Sequence, residues 1–246
     1  MATPLTHHSL SSWSQPTPPP ASRKRTELIS DIAGCINALG PERLRIAVDG
    51  RTAAGKTSFG HELAAALNAL GRSTMRACFD DFKNPWSEAH LYDRISGEGY
   101  YRNAYDFPAA VNLLLRPAGP DGDGRVALCS RDPLSGANHQ GETVQAAANA
   151  ILIVDSAFAF RPEYNEYWDY RIYLDVDHEL SIARGMARDT EQEGAEEAEN
   201  LHRDRYGVAE RFYATEVNPE TLADVVIDNT DFADPRAVFR NDAFGR

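Results

Sequence analysis

Apolar runs and amphipathic segments alternate along most of this chain. A continuous apolar run such as 151–154 is typical of a strand buried on both faces of a sheet. Apolar residues three and four positions apart, as in 58–70, are typical of a helix. Such runs predict strands at 44–48, 73–79, 126–129, 143–145, 151–154, 171–175 and 225–227, and such spacing predicts helices at 26–40, 58–70, 87–95, 106–115, 178–188 and 201–216. Because strands and helices alternate, the sequence predicts an α/β fold with a parallel, doubly wound sheet.

The two ends of the chain lack this pattern. Residues 1–25 are rich in Ser, Thr and Pro in their first part, which predicts a disordered tail. Residues 26–236 hold the predicted elements and form one predicted domain, and 237–246 are a predicted C-terminal tail. The strongly acidic stretch 191–200 indicates the surface of a mobile lid at about 184–212.

A glycine-bounded turn joins a predicted strand to the helix that follows it. Gly50, Gly55, Lys56 and Thr57 have the spacing G-x-x-x-x-G-K-[ST]. In this context backbone N–H groups surround an anion, the lysine reaches the β- and γ-phosphates, and the threonine hydroxyl binds Mg²⁺. A chance pair of glycines is the alternative, although all four fixed positions are filled. The predicted site for ATP and Mg²⁺ consists of Gly50, Arg51, Thr52, Ala53, Ala54, Gly55, Lys56, Thr57 and Ser58.

Aspartates follow predicted strands at the sheet edge where α/β proteins bind ligands. Asp155, after the run 151–154, is a predicted Mg²⁺ contact together with Thr57. Asp80 stands one strand away from the glycine-bounded turn. It is predicted to be the general base that accepts the proton of an attacking hydroxyl group. Aspartates at such positions also serve as helix N-caps and turn formers, and that alternative stays open for both.

Phosphoryl transfer also needs cations over the transferred oxygens. Arg184 and Arg188 are four positions apart on one predicted helix, so both side chains lie on one face. Both are predicted to bind phosphate, and Arg188, like Lys56, is predicted to be catalytic. A solvated helix face is the alternative. Arg203 and Arg205 are further candidates.

Residue spacing says less about the part of the site that would bind the phosphoryl acceptor. The Gly- and Tyr-rich stretch 97–105 is a predicted loop, and core packing explains its aromatic residues as well as acceptor binding does. Residues that follow predicted strands or this loop add polar groups. The predicted acceptor-binding residues are Asp80, Tyr105, Asp106, Arg131 and Arg161, with Asp132 as a further polar candidate.

The composition of the chain limits the kinds of partner that it can bind. The formal net charge of -12 over 246 residues argues against nucleic acid, which rewards basic surfaces. No apolar run approaches the roughly 18 residues of a membrane-spanning helix, so no membrane partner is expected. Three widely spaced cysteines indicate neither a disulfide framework nor a zinc site, which favours a reducing, cytoplasmic location. The sequence does not fix the oligomeric state, and a homo-oligomer is one of the alternatives.

In their order and spacing, these motifs resemble the uridine kinase-like branch of the P-loop kinases, which includes phosphoribulokinase and bacterial pantothenate kinase. The resemblance covers about 43–236, and only the first motif is specific by itself. The matching segments are 50–57, 80–82, 100–106, 153–155 with Phe158, 161–163, 168–169, 184–189 and 223–229.

The resemblance implies a three-layer P-loop NTPase fold with a mainly parallel five-stranded sheet and a helical lid. It also implies that Asp80 is the general base, that Arg188 is a lid arginine on the ATP phosphates, and that Asp106 lies beside the acceptor. The chain differs from uridine kinases at Phe107, where they have a His that reads the pyrimidine, and at Asp155, where they have Glu. The acidic run that begins at Glu191 replaces their arginine-rich stretch, so uridine itself is in doubt.

The predicted activity is transfer of the γ-phosphoryl group of ATP to a small-molecule alcohol, most plausibly a nucleoside or related ribosyl metabolite. Pantothenate-type and antibiotic-modifying phosphotransferases are alternatives on the same scaffold. A regulatory module that binds ATP without transferring phosphate is a third, which the aspartate at position 80 and the paired arginines disfavour. The sequence leaves the acceptor and the choice between ATP and GTP open.

Overall fold

The computed structural model describes residues 4–13 and 19–239. The strands in these ranges are β1 Thr6–His8, β2 Leu44–Gly50, β3 Thr74–Cys78, β4 Arg125–Val126, β5 Val144–Gln145, β6 Ile151–Asp155, β7 Tyr170–Asp175, β8 Val225–Asp228 and β9 Arg236–Phe239. The α-helices are α1 Arg23–Asn37, α2 Lys56–Ala69, α3 Gly97–Asn103, α4 Phe107–Ala109, α5 Arg116–Ala118, α6 Pro162–Asn165, α7 His178–Glu193, α8 Ala195–Asn200, α9 Gly207–Val217 and α10 Pro219–Leu222. Ala110–Leu115 and Leu201–Tyr206 are π-helical, and Phe79–Phe82 and Trp86–Leu91 are 3-10 turns.

The central sheet has the order β1-β3-β6-β2-β7-β8-β9 and is parallel except for β9. The α/β prediction is confirmed, but the count of five strands is wrong because β1 and β9 extend the sheet to seven at its two edges. β1 has no apolar residue, and β9 has only the short run Ala237–Phe239, which falls in the predicted C-terminal tail. Edge strands need only one backbone partner and a partly covered face, so polar residues suffice there. β4 and β5 form a separate antiparallel pair.

Alternate residues of the inner strands supply two apolar layers, one on each face of the sheet. In β2, Ile46 and Val48 pack with Ile32 of α1 and Leu63 of α2. Ala47, between them, faces the other layer, which contains the side chains of Tyr101, Leu114 and Tyr213. Successive side chains of a strand point to opposite faces, and both faces are covered by helices. The three-layer arrangement predicted for the chain is therefore present.

The predicted loop at 97–105 is wrong, because Gly97–Asn103 forms helix α3. Ser96 caps it by accepting the Gly99 N–H at 3.0 Å. A Cβ atom on Gly97 would lie 2.3 Å from the Val208 side chain, and one on Gly99 would lie 2.5 Å from the Asp93 carboxyl. These glycines allow close packing of α3 on its neighbours, which the composition of the segment does not reveal.

The predicted boundaries of the domain also differ from the structure. The tail predicted for 1–25 includes the described strand β1 and the start of α1 at Arg23, whereas 1–3 and 14–18 lie outside the described residues. The tail predicted for 237–246 begins inside β9, and 240–246 lie outside the described residues. The acidic stretch 191–200 is helical, with a break at Gly194, where φ is +86°. Among the described residues, no helix combines the length and apolar character needed to cross a membrane.

Candidate active site

Three neighbouring strands bring the predicted residues to one edge of the sheet. β3, β6 and β2 are adjacent and parallel, with Cys78 opposite Asp155 and Val48 opposite Asp155. Asp80 follows β3, Asp155 ends β6, and the glycine-bounded turn follows β2. Asp155 therefore lies between the turn and Asp80.

Two glycines shape the turn between β2 and α2. Gly50 has φ +148°, and a Cβ atom there would lie 2.4 Å from the Leu174 carbonyl oxygen of β7. Gly55 has φ +89° and is the N-cap of α2. The first intrahelical bond is donated by the Phe59 N–H to the Gly55 carbonyl oxygen at 3.0 Å. The N–H groups of residues 56–58 precede that bond and are the ones that a helix N-terminus offers to an anion.

The turn is tied to the helices around it. The Lys56 ammonium group folds over the turn and donates to the carbonyl oxygens of Gly50 at 3.0 Å and Arg51 at 2.6 Å. The buried Glu210 carboxylate accepts the Thr52 N–H at 2.6 Å. On the other side, the Asn229 amide donates to the Ala54 carbonyl oxygen at 2.7 Å. The turn is therefore held in shape before any anion binds.

Thr57 and Asp155, the predicted magnesium ligands, are in contact. The Thr57 hydroxyl donates to Asp155 Oδ2 at 2.7 Å. The other carboxylate oxygen, Oδ1, lies 2.5 Å from Nη2 of Arg76, whose side chain is buried in β3. Arg76 also donates to the Ile153 carbonyl oxygen at 2.7 Å. The arginine thus orients the carboxylate so that Oδ2 faces the start of α2.

Asp80, the predicted base, forms an ion pair that the sequence did not predict. Lys83 Nζ lies 2.8 Å from Asp80 Oδ1, and the aspartate side chain is about one-third exposed, at 35%. Burial is the largest single influence and favours the neutral carboxyl group, but the charge and hydrogen bond of Lys83 oppose it, with Lys56 and Arg188 acting in the same sense. Together they hold the pKa of Asp80 below its ordinary value. Asp80 is therefore a carboxylate at neutral pH.

Lys83 is itself enclosed by aromatic rings. Its ammonium group lies 5.5 Å from the Tyr100 ring centroid and 5.8 Å from that of Tyr105. Burial lowers the pKa of Lys83, but the charge of Asp80 and the hydroxyl groups of Tyr100 and Tyr206 raise it well above its ordinary value. Lys83 therefore stays charged beside Asp80.

Arg184 and Arg188, both on α7, line the same cleft but contact different partners. Arg188 forms a bidentate pair with Asp189, at 2.6 and 2.9 Å. Asp189 also contacts His202 Nε2 at 2.8 Å. Asp189 outweighs the effect of burial and raises the pKa of Arg188. Arg184 instead donates to main-chain carbonyl oxygens, including that of Thr230 at 2.6 Å. The further candidates Arg203 and Arg205 contact glutamates and the Ile95 carbonyl oxygen at the surface.

A cleft of about 740 Å³ joins these groups. It is lined by residues of the turn, of the ends of β3 and β6, of α7 and of the π-helical segment Leu201–Tyr206. Residues from the N-terminal segment and from 133–134 also line it. The predicted site residues on its walls are Thr52, Ala53, Gly55, Lys56, Thr57, Ser58, Asp80, Tyr105, Asp155, Arg184 and Arg188.

Three predicted acceptor residues do not line this cleft. The Asp106 carboxylate caps α4 by accepting the Ala109 N–H at 3.0 Å. Arg131 donates to the Gly136 carbonyl oxygen at 3.1 Å within its own loop. Arg161 is buried, with its guanidinium carbon 4.4 Å from the Tyr101 ring centroid and 4.6 Å from that of Phe107. These contacts hold local structure, and acceptor binding by the three residues stays a prediction.

Several residues of this site were missed from the sequence. Lys83 stands three positions after Asp80, and that spacing is the one local signal that could have found it. Arg76, Glu210 and Asn229 act on residues 79, 158 and 175 positions away, so no local pattern marks them. Within the described residues, no group of three or more His, Cys, Asp or Glu side chains is arranged to hold a metal ion.

Solved structures with the same arrangement support the fold assignment. A possible uridine kinase from Bacillus stearothermophilus matches with a TM-score of 0.64 and 21% identity, over 81% of this chain and 97% of that chain. A candidate fructose transport system kinase from Silicibacter sp. TM1040 matches with a TM-score of 0.65 and 18% identity, over 76% of this chain and 94% of that chain.

A third solved structure matches more distantly. It is YFH7 from Saccharomyces cerevisiae, a candidate P-loop containing kinase with a circular permutation, with a TM-score of 0.52 and 10% identity over 78% of this chain and 95% of that chain. No protein-family model and no curated protein sequence matches the chain. The fold of this chain is therefore that of the P-loop kinases, as the resemblance to the uridine kinase-like branch predicts.

Proposed function

We propose that this chain is an ATP- and Mg²⁺-dependent kinase that transfers the γ-phosphoryl group to an alcohol, namely a nucleoside or related ribosyl metabolite. The observation that carries the proposal is the position of Asp80, paired with Lys83 at 2.8 Å, on the wall of the cleft that the glycine-bounded turn also lines. A site that only bound a nucleotide would need the turn but no base next to it. A carboxylate there can accept the proton of a hydroxyl group during transfer.

The turn supplies the groups that hold the triphosphate. The N–H groups at the start of α2 and the Lys56 ammonium group would bind its oxygens. Lys56 would exchange its two carbonyl contacts, at 3.0 and 2.6 Å, for phosphate oxygens. Arg188 faces the same cleft and would lie over the transferred group when the lid closes. In the structure the Arg188 guanidinium group is paired with Asp189, at 2.6 and 2.9 Å.

The donor set at the start of α2 fits a magnesium ion. A hydroxyl oxygen of Thr57 and a carboxylate oxygen of Asp155 lie 2.7 Å apart, and oxygen ligands of this kind are those that Mg²⁺ prefers. When bound, the ion would neutralise charge on the β- and γ-phosphates. Arg76 leaves one Asp155 oxygen for this purpose by binding the other.

Consumption of ATP across a panel of alcohols tests the proposal. The panel contains nucleosides, pantothenate, ribosylnicotinamide and sugar alcohols, and ATP loss is measured with and without Mg²⁺. We expect turnover that depends on Mg²⁺ and is confined to one class of acceptor. ATP binding without turnover on any of these alcohols would favour the regulatory alternative.

Replacing Lys83 with Met tests the ionisation of the base. Lys83 lowers the pKa of Asp80, so the active carboxylate persists to lower pH in the native chain. Without the ammonium group that pKa rises, and the acidic limb of kcat/KM for the acceptor moves to higher pH. The pH profile of the Lys83→Met variant is compared with that of Lys24→Met, which removes a surface lysine paired with Asp234. A profile that does not move would contradict the coupling of Lys83 to Asp80.

A further inference from the structure

The N-terminal strand ends beside the cleft. β1 is parallel to β3, with Thr6 opposite Thr74 and His8 opposite Arg76. The Ser9 N–H extends the pairing by donating to the Arg76 carbonyl oxygen at 3.2 Å. Because the two strands run in one direction, the chain after His8 leaves the sheet at the edge where Asp80 follows β3.

Two buried carboxylates hold the residues that follow. Ser9 Oγ donates to Asp81 Oδ2 at 2.5 Å. Ser12 donates to Asp132 through its N–H at 2.5 Å and through its hydroxyl group at 2.9 Å. Asp81 and Asp132 are 1% and 2% exposed. Asp132 also accepts the Leu134 and Ser135 N–H groups at 2.9 and 2.7 Å, whereas Asp81 Oδ2 relies on Ser9. A buried carboxylate that loses a donor is destabilised, so both aspartates favour the docked position of this segment, Asp81 the more strongly.

Trp13 reaches the cleft from this anchored segment. The backbone N–H of Trp13 donates to Ser11 Oγ at 3.2 Å, which fixes the backbone of residues 11–13. Its half-buried side chain lines the cleft together with Pro133 and Leu134. Leu134 is 57% exposed and leaves apolar surface on this wall. The charged groups of the cleft come from the other elements.

The order of the strands places this apolar wall relative to the chemistry. β1 lies three strands from β2, or about 14 Å at the usual spacing between strands. The glycine-bounded turn follows β2, and Asp80 follows β3, which is next to β1. The wall is therefore on the far side of Asp80 from the groups that would hold the triphosphate.

We propose that Trp13, held in place by residues 9–12, forms a wall of the acceptor subsite and that its indole packs on the part of the acceptor that does not react. This inference rests on the proposed kinase function. An alcohol whose hydroxyl group reaches Asp80 extends from there toward β1. A planar or apolar group at that end buries surface against Trp13, Pro133 and Leu134. Trp13 then selects acceptors that carry such a group over bare sugars.

Steady-state kinetics with matched acceptors test this role. The acceptors are uridine, cytidine, adenosine and guanosine, with ribose as the acceptor that lacks a planar group. In Trp13→Ala we expect kcat/KM for a nucleoside to fall about tenfold, mainly through KM, since an aromatic residue stacked on a base contributes at that level. Turnover of ribose and the KM for ATP should not change. Trp13→Phe, which keeps an aromatic ring, should stay close to the native chain.

Fluorescence gives a second readout that does not depend on turnover. The emission lost in Trp13→Phe is the share contributed by Trp13, and a nucleoside that packs on the indole should quench that share in a saturable way. Equal losses for nucleosides and ribose, or no quenching, would overturn the proposal. So would a rise in kcat/KM in Trp13→Ala, which would mean that the segment obstructs the subsite. Saturable quenching without turnover would support the wall and count against the kinase proposal.

Discussion

Replacing Asp80 with Asn is expected to lower kcat for phosphoryl transfer by about 10²–10⁴-fold, the usual contribution of a positioned base. The amide matches the carboxylate in size and its oxygen can still accept from Lys83, which lies 2.8 Å from Asp80 Oδ1. It cannot take up the proton of the acceptor hydroxyl group. The affinity for ATP should stay close to that of the native chain because the turn is unchanged. Transfer is measured with the acceptor found in the panel, and ATP binding by calorimetry.

Asp169→Asn is the matched control for this variant. Asp169 pairs with Arg45 at 3.0 Å and precedes β7, at the edge of the sheet opposite the cleft. The same chemical change there should leave kcat within a few-fold of the native value. Full activity in Asp80→Asn would show that Asp80 is not the base. Loss of ATP binding in that variant would show that the carboxylate acts on the nucleotide instead.

The second large effect is expected on stability, from replacing Arg76 with Met. Arg76 and Asp155 have side chains that are 4% and 3% exposed and pair at 2.5 Å. Removing one partner of a buried ion pair leaves an uncompensated charge, which typically costs about 3–5 kcal/mol. We therefore expect the free energy of unfolding to fall by about that amount, measured by urea denaturation with the slope compared between variants.

A double variant separates the ion pair from general loss of packing. Arg76→Met combined with Asp155→Asn removes both charges, so the unfolding free energy should recover part of the loss. Arg203→Met serves as the control because Arg203 is 44% exposed and pairs with Glu179 and Glu199 at the surface. It should leave the unfolding transition almost unchanged. A double variant no more stable than the single one would mean that Arg76 contributes by packing alone.

The inner part of the fold could be predicted because its signals are local. The run at 151–154 is apolar throughout since both faces are covered, and the observed strand Ile151–Asp155 is one residue longer than predicted. The helix that follows the turn was predicted from a local pattern too, namely apolar residues three and four positions apart. The edge strands β1 and β9 could not be found in this way. The polar residues of β1 and the short apolar run of β9 are extended because a neighbouring strand offers backbone partners.

The residues of the candidate site that could be predicted are likewise those marked by local patterns. The spacing at 50–57 and the aspartates after β3 and β6 are properties of short segments, and the structure brings them together at one edge. Asp106 and Arg161 were predicted from their positions after a loop and a strand, yet they cap and fill the surrounding structure. Position along the chain cannot tell a polar group that faces a cleft from one that satisfies a helix end.

By itself, the sequence determined the glycine-bounded turn, the parallel strands around it and the aspartate that stands near it, because backbone conformation and apolar periodicity are encoded within a few residues. Only the tertiary structure decided which distant side chains orient these residues, pair with their charges and complete the cleft around them. The Arg76–Asp155 pair depends on β3 and β6 being neighbours, and the place of Trp13 in the cleft depends on β1 joining the edge of the sheet. Contacts between residues far apart in the chain exist only once the sheet order is set, so charge pairing and the walls of the cleft follow from the fold.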